Sequence, residues 1–255
     1  MTPSDAELAR YLATSAGELL LALREELGFD DPWKLRDAGD ARANVHLLKL
    51  LADARPDDIV LSEESADDPR RHDAERLWII DPLDGTTEFG EVGRTDWAVH
   101  VALWQRGHGL TDGAVALPAR GMTLSTADPL PALQPPTAHP RLAVSRTRRP
   151  GWVVAVAAAV DGELTPIGSA GMKAMSILLG EADAYMHSGP MKEWDSAAPV
   201  VVAARAGLHV SDLGGGELEY NKPNRLTEQL LVCQPSLTDA LLSAYAGSAR
   251  NDAAS

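Results

Sequence analysis

The sequence predicts a fold of mixed class, with an α+β half followed by an α/β half. In the first half, helical segments precede a run of short apolar strands, whereas strands and helices alternate in the second half. A proline-rich stretch separates these two patterns. Segregated elements are typical of α+β structure, and alternating elements are typical of α/β structure. The predicted organisation is therefore a first half at 1–126, a linker at 127–140 and a second half at 141–255.

Two helices are predicted at the start of the first half. Ser4 and Glu7 have the spacing of a capping box, and leucines then recur at near-helical intervals until Gly28. A second helix is predicted over 40–52, which places Asp40 at its start. Short apolar segments bounded by Gly, Pro or Asp then predict strands at 59–61, 77–80, 96–104, 113–117 and 121–125.

Prolines and glycines divide the rest of the chain. Prolines at 129, 131, 135, 136 and 140 exclude a helix or a central strand from the linker. Strands are predicted at 142–145, 184–187 and 230–233. Helices are predicted from Pro150, over 169–179, over 195–206 until Gly207, and from Ser236 to the end.

Composition and charge narrow the class of protein. Apolar residues make up 45% of the chain and charged residues 24%, as in ordinary globular proteins. The formal net charge of -14 argues against polymeric nucleic acid or an anionic membrane as a partner. Cys233 is the single cysteine, and the first thirty residues lack the pattern of a secretory signal. No apolar stretch approaches the ~20 residues of a membrane helix, so we predict a cytoplasmic protein.

The most informative segment is an apolar strand that ends in Asp-Pro-Leu-Asp-Gly at 81–85. Pro82 restricts the turn and Gly85 permits an unusual backbone angle, so the two carboxylates can face a common point. A solvated turn is the alternative interpretation of so short a pattern. An EF-hand calcium loop is excluded, because the position of its twelfth ligand is occupied by Val92.

Further carboxylates lie at the ends of other predicted elements. Glu63 and Glu64 follow a short apolar strand. Asp40 lies at a predicted helix start. Asp195 directly precedes a predicted helix, where a structural role as its N-cap is as good an interpretation as a role in the site. Because like charges in one cleft raise each other's pKa values, such carboxylates converge only around a cation. Oxygen ligands favour Mg²⁺, and two or more such ions would attract phosphate despite the negative net charge.

The second half supplies candidate phosphate contacts. Lys173 and Lys192 are two of only five lysines in the chain. Small residues at 168–171 precede a predicted helix, whose free N–H groups favour an anion. The backbone after Gly85 offers similar N–H groups. The alternative is that the glycines serve packing and that Lys173 is a solvated surface charge.

Two long motifs occur in the order found in a known family. Segment 78–86 resembles W-I-I-D-P-[IL]-D-G-T, and segment 194–199 resembles W-D-x-A-A-x. Both are signatures of the inositol monophosphatase superfamily, whose members are Mg²⁺-dependent, lithium-sensitive phosphatases. Segments 85–89, 145–146 and 220–222 look most like its 3′(2′),5′-bisphosphate nucleotidase branch of the CysQ type, particularly actinobacterial members. The resemblance implies a five-layered α-β-α-β-α sandwich, shared with fructose 1,6-bisphosphatase and often found as a homodimer.

The resemblance also implies roles for individual residues. Two or three Mg²⁺ ions are implied, and the ligands would be Glu63, Asp81, the backbone carbonyl of Leu83, Asp84 and Asp195. The catalytic residues that position and activate water would be Glu63, Thr86 and Asp40. The substrate contacts would be Gly85, Thr86, Ser145, Arg146, Ser169, Lys173 and Asp195. The family commonly has Thr where this chain has Asp37, which makes Asp40 the weakest match of the set.

The implied reaction is hydrolysis of the 3′-phosphate of 3′-phosphoadenosine 5′-phosphate, or of its 5′-phosphosulfate analogue, in sulfur metabolism. Inositol phosphates and fructose 1,6-bisphosphate are the alternative substrates, because the metal motif recognises the phosphate and not the group attached to it. A non-catalytic nucleotide or metal sensor is the alternative of another class. It is disfavoured because Glu63, Asp40 and Thr86 are all present.

Overall fold

The computed structural model describes residues 3–252 as two five-stranded sheets with layers of helix around and between them. The helices are α1 (Asp5–Leu27), α2 (Pro32–Ala54), α3 (Thr86–Phe89), α4 (Gly151–Ala159), α5 (Ala170–Leu178), α6 (Glu193–Arg205) and α7 (Thr238–Asp252). The strands are β1 (Ile59–Ser62), β2 (Arg76–Asp84), β3 (Ala98–Gln105), β4 (Gly109–Leu117), β5 (Met122–Ser125), β6 (Arg141–Val144), β7 (Glu163–Pro166), β8 (Ala184–Lys192), β9 (His209–Ser211) and β10 (Leu226–Cys233). None of the described helices is long and apolar enough to cross a membrane.

Each half of the chain builds its own sheet. The first sheet has the order β1-β2-β3-β4-β5, with β1 parallel to β2 and the remaining neighbours antiparallel. The second has the order β7-β6-β8-β10-β9, in which β6 is parallel to both of its neighbours. Residues 127–140 contain neither helix nor strand, as the prolines there predict.

Apolar clusters define five layers. Helices α1 and α2 cover the outer face of the first sheet, through residues such as Leu12 and Leu47. Helices α5 and α6 lie between the sheets and contact both of them, with Met175 and Ala198 in the shared core. Helices α4 and α7 cover the outer face of the second sheet around Val156. The order is therefore α-β-α-β-α, which confirms the predicted sandwich.

The predicted start of α2 is wrong. The helix begins at Pro32, and the carboxylate of Asp31 caps it by accepting the N–H of Lys34 at 3.1 Å. Proline is favoured in the first turn because the missing N–H would be unpaired there. Asp40 therefore lies in the middle of α2 and not at its start. The first half of this helix carries few apolar residues, so apolar periodicity alone indicates only its second half.

Asp195 is not the N-cap of its helix either. Helix α6 begins at Glu193, and the Asp195 carboxylate accepts the backbone N–H of Lys192 at 3.1 Å from the third position. Strands β7 and β9 and the short helix α3 were not predicted. These elements span three or four residues, which is too short for a periodic signal.

A buried arginine joins the loop after β1 to the second half of the chain. Arg71 is fully buried and donates to the carboxylate of Asp67 at 2.6 Å, to Oδ1 of Asn221 at 2.7 Å and to the carbonyl of Lys222 at 3.1 Å. Glu193 accepts the N–H groups of Asn221 and Lys222 at 2.9 and 2.8 Å. This network connects the loop to the first residue of α6.

We expect Arg71→Met to lower the free energy of unfolding by roughly 3 kcal/mol, because it removes a fully buried guanidinium whose hydrogen bonds to Asp67, Asn221 and Lys222 would all be lost. The matched control is Arg70→Met, since the side chain of Arg70 is 77% exposed and pairs only with Asp68. Urea denaturation of both variants measures the effect. Equal stability of the two variants would contradict the structural role of Arg71.

Candidate active site

The end of β2 holds the predicted acidic pair. Asp81 is 1% exposed and Asp84 is 9% exposed. The pairing of β2 with β3 is irregular between these two residues, where Pro82 cannot donate to the sheet. Asp81 accepts the N–H of Leu83 at 3.0 Å, which holds its carboxylate in the turn. The pair therefore lies in a buried, fixed turn, which excludes the interpretation as a solvated turn.

Asp84 is bound by the N-terminus of α5. Its carboxylate accepts the hydroxyl of Ser169 and the N–H groups of Ala170 and Gly171, the latter two at 3.1 and 2.6 Å. Gly85 has a φ of +88°, and a Cβ there would lie 3.1 Å from Cβ of Ser169. Glycine at position 85 therefore permits the close contact between β2 of the first half and α5 of the second half.

His100 is a site residue that sequence analysis missed. It lies opposite Asp81 on β3 and is fully buried, with Nε2 3.2 Å from Oδ2 of Asp84. Nδ1 donates to the carbonyl of Trp194 at 3.0 Å, because a carbonyl can only accept. Burial opposes protonation, but the carboxylate of Asp84 raises the pKa of His100 above its usual value. A histidine in an otherwise apolar strand was the available signal.

Helix α5 approaches His100 closely because of a glycine. A Cβ on Gly171 would lie 2.1 Å from Nε2 of His100. Any other side chain at this position would displace the imidazole or the helix. His100 thus contacts the carboxylate of Asp84 and the backbone preceding Asp195, which links two of the predicted metal ligands.

The carboxylates repel one another. Burial and the charge of Asp84 raise the pKa of Asp81 well above its usual value and that of Asp195 to about 7. The carboxyl of Glu63 lies within hydrogen-bonding reach of Asp81, although Glu63 is exposed overall. Desolvation and the neighbouring charge of Glu64 raise its pKa as well. Asp84 is the exception, since despite burial the charge of His100 lowers its pKa.

A divalent cation fits this donor set. The donors are hard oxygens, and a positive ion would relieve the repulsion that raises the pKa values of Asp81 and Asp195. Among residues 3–252, no three acidic, His or Cys side chains are close enough together to hold an ion as they stand. The oxygens of Asp84 are instead used by Ser169, Ala170 and Gly171.

Thr86 connects the acidic turn to α2. Its hydroxyl donates to the carbonyl of Leu83 at 3.2 Å. Burial and the charges of Glu64 and Glu63 raise the pKa of Asp40 to about 7, against the smaller lowering effect of the nearby Thr86 hydroxyl. The structure therefore brings Asp40 and Thr86 together, as the sequence predicts, although Asp40 comes from a helix interior.

A cavity of about 330 Å³ opens beside the carboxylates. Its lining includes Asp84, Gly85, Ser145, Ser169, Lys173 and Asp195 among the predicted site residues. Lys173 is 8% exposed, and its ammonium donates to the carbonyl of Ser169 at 2.7 Å. This placement excludes the interpretation of Lys173 as a solvated surface charge. Burial lowers the pKa of Lys173.

Arg146 does not line this cavity. Its guanidinium lies 2.8 Å from Oε1 of Glu88 and 3.1 Å from Oε2 of Glu91. Ser145, next to it, does line the cavity, and its hydroxyl accepts the N–H groups of Thr147 and Arg148. The structure therefore separates two adjacent residues that the sequence predicts to act together.

Residues 12–249 match the model of the inositol monophosphatase family. The chain is 49% identical to the 3′-phosphoadenosine 5′-phosphate phosphatase of Mycobacterium leprae, over 94% of this chain and 92% of that protein. It is 34% identical to the 3′(2′),5′-bisphosphate nucleotidase CysQ of Escherichia coli K12, over 72% and 78% of the two chains. The solved inositol monophosphatase II of Staphylococcus aureus has the same fold, with a TM-score of 0.77, 20% identity and 94% of each chain covered.

Proposed function

The chain belongs to the inositol monophosphatase family, and on that premise we propose that it hydrolyses the 3′-phosphate of 3′-phosphoadenosine 5′-phosphate. The products are AMP and inorganic phosphate. The 49% identical relative from Mycobacterium leprae is named for this substrate, and the likeness covers almost the whole of both chains. The single structural observation that carries the proposal is the cavity, which places Asp84 and Asp195 beside Ser169 and Lys173.

The metal is Mg²⁺ in this proposal. Asp81, Asp84, Asp195, Glu63 and the carbonyl of Leu83 would hold it, since all five offer hard oxygen donors. When bound, Mg²⁺ supplies positive charge that attracts the phosphate, stabilises its developing charge and lowers the pKa of water. The number of ions, a cytoplasmic location and a homodimeric state are parts of the same proposal.

The chain's own residues orient the attacking water. The hydroxyl of Thr86 donates its one hydrogen to the carbonyl of Leu83. The hydroxyl oxygen is then available to accept a hydrogen bond from water. Glu63 is exposed overall, and its raised pKa makes it a stronger base than an ordinary carboxylate. We assign Thr86 and Asp40 to positioning of the water and Glu63 to removal of its proton.

Phosphate binding is assigned to Gly85, Ser169 and Lys173. The N-terminus of α5 directs N–H groups towards Asp84, at the edge of the cavity. Lys173 adds a buried positive charge beside the same helix turn. The charge of Lys173 favours an anion at this end of the cavity, whereas the N–H groups of Ala170 and Gly171 are bound to Asp84.

We expect the protein to release phosphate in Mg²⁺ with a higher kcat/KM for 3′-phosphoadenosine 5′-phosphate than for inositol 1-phosphate or fructose 1,6-bisphosphate. Ca²⁺ in place of Mg²⁺ should suppress the reaction, because Ca²⁺ takes longer bonds and looser geometry. A phosphate-release assay with three substrates and two metals measures both effects. Preference for the sugar or inositol ester would replace this proposal with the sugar-phosphatase alternative, and no release from any ester would favour the sensor.

A further inference from the structure

We propose that Arg148 binds the second phosphate of the nucleotide, the one that is not hydrolysed. This inference rests on the proposed function and names the residue that gives its site a preference for bisphosphates. The resemblance of segment 145–146 to the nucleotidase branch predicts that Arg146 contacts the substrate. The structure distinguishes the two arginines by what each of them contacts.

The guanidinium of Arg146 is already paired with two carboxylates. Its two terminal nitrogens lie 2.8 and 3.1 Å from carboxylate oxygens of Glu88 and Glu91. The carboxylate of Glu88 is held in turn by its buried position, where its side chain packs against Gly168. Binding a phosphate would require Arg146 to leave both carboxylates, which costs part of the free energy gained. Arg146 therefore serves to hold α3 against the loop after β6.

Arg148 is the available cation of this loop. It lines the cavity, is exposed, and forms no ion pair with any of the side chains described at 3–248. Its backbone N–H donates to the hydroxyl of Ser145 at 3.3 Å, which holds the loop three residues before α4. An unpaired arginine on a cavity wall can donate two parallel hydrogen bonds to a phosphate.

Two cations, Lys173 and Arg148, line this cavity together with His187. Burial together with the charges of Lys173 and Arg148 lowers the pKa of His187. Lys173 lies at the end next to Asp84 and Ser169. Arg148 therefore supplies a second cation within electrostatic range of His187. Two separate cations along one cavity match a ligand with two separate phosphates.

Part of the cavity wall is suited to a nucleoside. Trp152, Val153 and Met186 line it with apolar surface. The indole of Trp152 is held edge-to-face against Tyr245, with ring centroids 5.3 Å apart. Tyr245 is itself fixed by a 3.1 Å hydrogen bond between its hydroxyl and that of Ser188. Such a fixed aromatic wall favours a flat base, which leaves Arg148 for the remote phosphate.

The test compares a bisphosphate with a monophosphate of the same nucleoside. The kcat/KM of Arg148→Gln, Arg146→Gln and Arg149→Gln is measured with 3′-phosphoadenosine 5′-phosphate and with adenosine 3′-phosphate, at constant ionic strength. Arg149→Gln is the matched control, because Arg149 is exposed and outside the cavity lining. We expect Arg148→Gln to lose about ten- to a hundredfold on the bisphosphate and much less on the monophosphate.

The outcomes separate this inference from the proposed function. An unchanged ratio of the two substrates in Arg148→Gln would overturn the assignment, as would a selective loss confined to Arg146→Gln. In both cases a wild-type preference for the bisphosphate would leave the proposed function intact. A wild-type protein that does not hydrolyse the bisphosphate would overturn the proposed function itself, and this inference with it.

Discussion

Asp84→Asn is expected to lower the rate of phosphate release by about a hundredfold or more at saturating Mg²⁺. The substitution preserves the shape of the side chain but removes the charge that holds the metal in our proposal. It also affects the contact between the halves, because both oxygens of Asp84 accept hydrogen bonds from the 169–171 segment. Asn offers one acceptor oxygen in place of two, so at least one of these donors loses its partner.

A control variant and an unfolding measurement distinguish loss of a metal ligand from loss of the fold. The matched control is Asp53→Asn, the same chemical change at an exposed position of α2. Thermal unfolding of both variants separates loss of activity from loss of the fold. If folded Asp84→Asn turned over at nearly the wild-type rate in saturating Mg²⁺, Asp84 would not be a metal ligand.

Thr86→Ala is expected to lower kcat by about 10² to 10⁴ and to change KM much less. The hydroxyl donates to the carbonyl of Leu83 at 3.2 Å, and we expect its oxygen to orient the attacking water. An interaction that strengthens in the transition state appears in kcat and not in KM. Steady-state kinetics with 3′-phosphoadenosine 5′-phosphate measures both parameters.

Two further variants control for this substitution. Thr87→Ala removes the same group from the neighbouring, exposed position and should leave kcat near the wild-type value. Thr86→Ser keeps the hydroxyl and should recover most of the lost rate. A Thr86→Ala protein whose sole defect is a higher KM would mean that the hydroxyl binds substrate and does not position water.

Local sequence determined the elements whose signals lie within a few residues. The capping box at Ser4 and Glu7 forms as predicted, with the hydroxyl of Ser4 accepting the N–H of Glu7. The end of the apolar strand at Asp81 and Asp84 also has a local signal, because Pro82 interrupts the pairing of this strand with β3. Where the apolar period was weak, as in the first half of α2, the predicted helix start was eight residues late and Asp40 was misplaced.

The sequence by itself thus determined the strand that leads into the acidic turn and the chemical character of the site. The tertiary structure alone decided which side chains meet there. His100 reaches Asp84 through strand register, Arg71 meets Asn221 across 150 residues, and Arg146 meets Glu88 across 58. Such pairs leave no periodic pattern in the sequence, because tertiary packing brings together residues that are far apart along the chain. Two arginines two residues apart therefore differ in partner and in proposed role, although the sequence around them is nearly the same.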